Sequence, residues 1–324
     1  MAHRDLIPVR PPPLTDADPR GHETSGNLPP GDDQSGPGFG KTVTLTPGPR
    51  AAASKPRCLH LFSGPSARQD GLSAYLRLVG WEVDDFDIVN DPDRGSQDLS
   101  SDHLWVEFQK SLREGQYDFV FMGTPCETFS RARTGPPGPR PLRDARYPYG
   151  LPKTRLTVDE QKQVRLGTYF AVQTATLARL AYEHGVGFAI ENPQPAGQVS
   201  LFLLREFCDL AALPGVVHVD FDQCEFQAEA VKPTRVLYYA ADLKHLGRRC
   251  SHPPRWHLVD RDTTPWWHWG AHPPLRGHDP QGRWRTRAAA AYPAALNRAI
   301  VKGIVARGRR TLPSLTGPAV PTPA

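Results

Sequence analysis

The sequence predicts an α/β fold, a doubly wound, Rossmann-like parallel sheet, on three observations. Short, β-prone apolar runs alternate with amphipathic stretches of helical spacing from residue 57 to 212. The runs "RCLHLF" (57–62) and "YDFVFMG" (117–123) read as buried strands. Residues with reactive side chains stand just past the ends of such runs, where open α/β sheets bind ligands.

The elements follow in chain order. Residues 1–54 are rich in Pro and Gly and have no apolar periodicity, so a disordered tail is expected. They hold no apolar stretch of the secretory-signal kind. The first strand is 57–62. A helix is expected over 66–79, with Leu72, Leu76 and Val79 on one face. "WEVDDFDIV" (81–89) is a second strand, and 100–115 an amphipathic helix with Ser100 or Ser101 as N-cap. The third strand, 117–123, leads into a long loop, 124–156, rich in Pro, Gly and Arg. A loop of that length in a compact domain is usually functional. Residues 157–184 form a long helix capped by Thr157, with Val164, Phe170, Leu177 and Leu180 on its apolar face. A fourth strand, 185–191, ends on a carboxylate. A helix at 200–212, closing strands at 216–224 and 234–240, an irregular aromatic and basic stretch at 245–285, and a last helix at 287–307 complete the order.

Composition sets bounds. The net charge is +5, which permits an acidic partner such as nucleic acid without requiring one. The five cysteines, Cys58, Cys126, Cys208, Cys224 and Cys250, are odd in number and scattered, so reduced thiols are expected. No run of about 18 apolar residues occurs, so no membrane partner is expected.

The strand ends carry the candidate chemistry. Ser63 and Gly64, after strand one, let backbone approach a ligand closely, and so does a plain tight turn. Asp87 closes strand two, where an acid suits ribose hydroxyls or a solvated turn. Asp98 faces the same ligand or caps the following helix. Strands three and four end in Thr124-Pro125-Cys126 and Glu191-Asn192-Pro193. If those strands are parallel neighbours, a thiol and a carboxyl share one cleft. A cysteine alone is more often an inert small hydrophobe; the pairing with Glu191 favours a nucleophile beside an acid.

These motifs resemble the DNA cytosine-5 methyltransferases. "LFSG" (61–64) is similar to the family's first motif, "GTPCETFSRAR" (123–133) to its catalytic Pro-Cys loop, and "ENP" (191–193) to its Glu-Asn motif. "KPTRVLYY" (232–239) resembles its arginine-bearing strand, and "AAYPAALNRAIVKGI" (290–304) its last helix. The likeness runs from about 57 to 305. His60 stands where the family has an acid, "GPSAR" replaces a Gly-rich turn, and Lys232 stands near the place of missing arginine-motif residues. This is the pattern of a divergent branch, of the sort found in phages and mobile elements.

The resemblance implies S-adenosyl-L-methionine as cofactor and DNA as partner, with RNA or a nucleotide as alternative substrate. A nucleic-acid-binding homologue without activity is the remaining alternative. It implies catalytic roles for Cys126, Glu191, Asn192 and Arg235, and cofactor contacts from Leu61, Phe62, Ser63, Gly64, Asp87, Asp98 and Thr124. Base flipping, a monomer and a cytoplasmic or nucleoid location go with it. The implied layout is a tail (1–54), a catalytic domain (55–244), a small recognition segment (245–286), a helix packing back (287–310) and a second tail (311–324). Arg131, Arg133, Arg140, Arg143 and Arg146 either clamp phosphates or form a solvated basic loop. In the recognition segment Trp256, Trp266, Trp267, Trp269 and Trp284, with Arg248, Arg249 and Arg255, either stack on bases or form a satellite cluster. Cys250, His252 and His257 match no familiar zinc finger spacing, so no metal site is expected.

Overall fold

The computed structural model describes residues 54–308, apart from 94, 134–137, 196, 198, 260–266 and 280. The tails expected at 1–54 and 311–324 lie, but for Ser54, outside the described residues.

The chain folds as an α/β protein around a mostly parallel six-stranded sheet. In order, β1 (Arg57–Leu61), α1 (Leu72–Leu78), β2 (Glu82–Phe86), α2 (Asp102–Arg113) and β3 (Phe119–Met122) come first. α3 (Val158–Glu183), β4 (Gly187–Pro193), α4 (Arg205–Ala211), β5 (Val217–Asp222) and β6 (Pro233–Tyr239) follow. The strand order is β2-β1-β3-β4-β6-β5. β1 pairs parallel with β2 and β3, and β3 with β4. β6 runs antiparallel to both β4 and β5. The connection at 223–232 explains the reversal, because it holds only a 3-10 turn (Gln223–Phe226). A parallel return needs about a dozen residues or more, usually a helix.

Strand alternation divides the core into two layers, compatible with a Rossmann-like arrangement. Leu59, Val120, Met122, Phe188 and Ile190 face α2, α3 and α4, where Trp105, Phe108, Leu177 and Phe207 cover them. Cys58, Phe119, Phe121, Ala189 and Val236 face the other way, under Leu72 and Leu76 of α1 and Leu296 and Ile300 of the last helix. α3 starts where the sequence places it. Thr157 accepts from Glu160 N and the Glu160 carboxylate accepts from Thr157 N, a reciprocal cap.

Three elements depart from expectation. α1 begins at Leu72 rather than 66, because residues 65–71 form two successive turns closed by Arg68 N→Pro65 O and Gly71 N→Arg68 O. The last helix is broken into α5 (Arg285–Ala288) and α6 (Ala294–Gly308), with Pro293 at the entry to α6, where a missing N–H costs nothing. The stretch read as irregular contains an antiparallel hairpin, β7 (Arg255–Leu258) and β8 (Trp267–Gly270). Among the described residues no helix is long and apolar enough to cross a membrane.

Candidate active site

β3 and β4 are hydrogen-bonded neighbours, with Met122 opposite Ile190. Beyond Met122 the stretch Gly123 to Cys126 leaves β3, while β4 runs on through Glu191 and Asn192 to Pro193, paired there with β6, so both stretches lie at the same end of the sheet. Asn192 ties them together by donating from Nδ2 to the Thr124 carbonyl at 2.7 Å. Thr124 Oγ1 lies 3.0 Å from Thr174 Oγ1 on α3, which fixes the turn from below.

Cys126 is partly accessible and crowded by protein. Burial first, and then the nearby Glu191 carboxylate, push its thiol up to about 11. The Lys232 ammonium acts in the opposite sense. Glu191 is only 7% exposed. Its Oε2 accepts a 2.7 Å hydrogen bond from the Tyr292 hydroxyl, while its Oε1 is buried and takes none among the described residues. A buried carboxylate oxygen without a partner is costly and calls for a ligand or a proton. Burial, followed by the Glu191 charge, drives the Tyr292 hydroxyl well above its usual range, so it stays a donor. Gly123 makes this approach possible: a Cβ there would stand 3.1 Å from Tyr292 Oη and 3.3 Å from the Phe62 carbonyl.

Tyr292 and Lys232 were not read from the sequence as site residues. Both lie far along the chain from Cys126, and only tertiary packing brings them in. Lys232 donates to the Ala289 carbonyl at 2.7 Å, and its ammonium sits 5.4 Å from the centre of the Tyr292 ring. Arg68, in the "GPSAR" turn, donates to the Tyr292 carbonyl at 2.7 Å and pairs with Asp70 at 2.6 Å. That turn thus carries a brace for Tyr292.

The structure does not bring Arg235 to this group. Arg235 lies opposite Asn192 on β6 and projects to the α3/α4 face, whereas Glu191 projects to the α1/α6 face. It forms a two-bond pair with Asp220, at 2.6 and 2.8 Å, and holds that carboxyl below its usual range despite burial. Strand parity decides this: a residue at odd offset from the cleft-facing ones must point to the other side.

The residues after β1 form a turn against the end of β2. Phe62 adopts a left-handed backbone (φ 57°), a conformation uncommon for a residue with a side chain. The Gly64 amide donates to Asp87 Oδ2 at 2.9 Å, and Asn90 Oδ1 accepts from Ser66 N at 2.8 Å. Asp87 also accepts from Val89 N at 3.1 Å and caps the 3-10 turn Ile88–Asn90. Ile88 and Val89 are exposed apolar side chains beside that carboxylate. Leu61 is fully buried and turns into the core, so only its backbone faces the turn. Phe62 packs against Phe170 and Trp105. Asp98 accepts from Ser100 N at 2.9 Å in a local turn ahead of α2 and does not cap that helix, whose N-cap position is Ser101. His60, in place of an acid, is buried and bonded to Ser73 Oγ at 2.7 Å, which in turn donates to Asp85.

The basic loop is mostly held to the protein. Arg143 is 1% exposed. Its guanidinium donates to Thr128 Oγ1, Thr168 Oγ1 and the carbonyls of Val164 and Pro148, all at 3.0–3.1 Å, and lies 3.9 Å from the Phe129 ring centre. Burial pulls its pKa down to about 10. Arg140 pairs with Glu160, and Arg133 donates to Gln163 Oε1 and two carbonyls. Phosphate clamping by Arg143 is therefore overturned, because every direction of its fork is spent internally. Arg146 remains exposed against Tyr147, and the Arg131 side chain lies outside the described residues. Replacing Arg143 by Met is expected to lower stability by about 2–4 kcal/mol, since two buried and two partly buried acceptors lose their donor. A urea-unfolding midpoint unchanged from wild type would contradict that role.

In the recognition segment Trp256, Trp267 and Trp269 of the hairpin are each more than half exposed, and Trp284 is also exposed. Trp266 lies outside the described residues. Arg249 pairs with Asp222 and donates to Gln194, Arg248 lies over Phe226, and Arg255 is exposed. Neither a scan against protein-family models nor a search of curated proteins finds a match to this chain.

Proposed function

We propose that this chain transfers a methyl group from S-adenosyl-L-methionine to carbon 5 of cytosine in DNA through a covalent Cys126 adduct. The observation that carries the reading is the buried, unpartnered Oε1 of Glu191 in the same cluster as the Cys126 thiol. A flipped cytosine would offer ring nitrogen 3 to that oxygen and its ring face to the sulfur.

In this reading the turn after β1 is where the cofactor would lie. Asp87, which already accepts from the Gly64 and Val89 amides, would also take ribose hydroxyls, exposed Ile88 and Val89 would cover a flat purine, and the free space over Gly64 would admit the amino-acid end. S-adenosyl-L-methionine, when bound there, supplies an electrophilic methyl group. The chain's own residues do the rest. The Cys126 sulfur, after losing its proton, adds to carbon 6 and makes carbon 5 electron-rich. Glu191 shares a proton with nitrogen 3 and offsets the charge that develops there. Tyr292 holds the other carboxyl oxygen, so the acid has one orientation. Lys232, rather than Arg235, is the cation that stabilises the thiolate. Loss of the carbon 5 proton to a base and breaking of the carbon–sulfur bond return Cys126 free.

Transfer of labelled methyl to duplex DNA, single-stranded RNA and free cytidine nucleotide tests the reading. Label in DNA, located at carbon 5 of cytosine, is the expected result. Label confined to RNA or nucleotide would move the substrate, and no label with any of them would favour an inactive nucleic-acid binder.

A further inference from the structure

We propose that Cys224, Cys250, His252 and His272 bind one structural zinc ion that fastens the aromatic hairpin to the catalytic sheet. The inference is independent of the methyl-transfer reading.

The four side chains come from three separate segments. Cys224 is buried in the 3-10 turn that ends β5, Cys250 and His252 lie before β7, and His272 follows β8. Their ligand atoms all lie within 4.8 Å of one another. Zinc bonds of about 2.3 Å to sulfur and 2.0 Å to nitrogen place tetrahedral donors about 3.3–3.8 Å apart. Cys250 Sγ and His252 Nδ1 already stand at 3.6 Å. The His252 and His272 rings meet edge to face with centres 4.8 Å apart.

A second observation points to an ion. His272 Nδ1 bonds the Glu229 carbonyl at 2.6 Å, and its Nε2 is buried with no partner among the described residues. A carbonyl on one ring nitrogen fixes the tautomer and leaves the other nitrogen's lone pair for a metal. The neighbouring backbone is also held: Cys250 N donates to Asp222 Oδ2 at 2.9 Å and Ser251 N to Glu225 Oε1 at 3.0 Å. Glu225 Oε1 lies 3.6 Å from His252 Nδ1 and adds negative charge beside the cluster. A surface cleft lined by Ala228, Glu229, His252, Arg255 and His272 opens beside it and gives an ion a way in.

Two thiolates and two imidazoles in tetrahedral range select zinc over harder cations. Four protein donors leave no open position, so the ion is structural. Binding releases the two thiol protons to solvent. The task fits the place. A two-stranded hairpin that exposes Trp256, Trp267 and Trp269 has little core of its own, and such small units commonly need a metal. The sequence hid the set because His257, the nearer histidine, instead bonds the Gly270 carbonyl across the hairpin. Cys224 and His272 are remote in sequence and join the set only after folding.

The test is elemental analysis of tag-free full-length protein, with cobalt(II) reconstitution of the reduced wild-type chain. About one zinc per chain is expected, falling at least ~10-fold in Cys250→Ser and His272→Ala and unchanged in His257→Ala. Cobalt-loaded wild type should display a thiolate-to-cobalt charge-transfer band and the visible absorption of a tetrahedral site. The proposal is overturned if wild type holds no zinc and gives no such band, or if Cys250→Ser keeps full zinc. It is equally overturned if peptide mapping of anaerobically prepared protein finds Cys224 and Cys250 joined as a disulfide. Should the variants not fold, the wild-type cobalt spectrum alone decides.

Discussion

Cys126→Ala is expected to reduce methyl transfer by about 10⁴-fold or more, since a covalent route without its nucleophile has no substitute. The fold should survive. Cys126 is only partly buried, and the turn around it is fixed by Asn192 and by the Thr124–Thr174 contact rather than by the thiol. DNA binding should persist as well, because removal of the sulfur leaves the acid, the cation and the exposed tryptophans in place. A steady-state rate combined with a gel-shift assay separates the two quantities. Parallel loss of binding and rate would place Cys126 in recognition, and full activity would remove it from the mechanism.

Glu191→Gln is expected to separate two readouts that a purely structural role would move together. Catalysis should fall by about 10²–10⁴-fold, the usual contribution of a positioned acid. The thiol should change in the opposite sense. In the wild type the Glu191 carboxylate raises the Cys126 pKa, after burial, to about 11. Removing that negative charge favours the thiolate, so alkylation of Cys126 by iodoacetamide at a fixed mildly alkaline pH should speed up. In the wild type the alkylation rate should climb about tenfold per pH unit up to the pKa, because thiolate is the reactive form. Peptide mass spectrometry must follow Cys126 by itself, since Cys208 is exposed and reacts on its own account. An alkylation profile identical in both proteins would mean that the two side chains do not sense each other.

The pairing of Cys126 with Glu191 was legible because it needs only two facts: which strands are neighbours and where they stop. Apolar runs give both. The long helix α3 was equally legible, since Thr157 announces its start. What strand counting could not supply was the facing of β6. Its reversed direction follows from a short connection, and its parity turns Arg235 toward Asp220. Lys232 and Tyr292 reach the thiol through packing between segments far apart in sequence, for which one chain offers no periodic signal. The arginine-rich loop misled for a related reason. Composition reports charge but not burial, and Arg143 is buried under a stacked phenyl ring with its donors satisfied.

The most direct test uses a DNA duplex in which cytosine is replaced by 5-fluorocytosine, incubated with the full chain and S-adenosyl-L-methionine. Fluorine cannot leave as the carbon 5 proton does, so an adduct that has received methyl cannot release the sulfur. The account predicts a denaturation-resistant protein–DNA conjugate whose cross-linked peptide contains Cys126, absent when Cys126 is replaced by Ala. Methyl incorporated into ordinary cytosine with no such conjugate, or a conjugate that persists without Cys126, would contradict it.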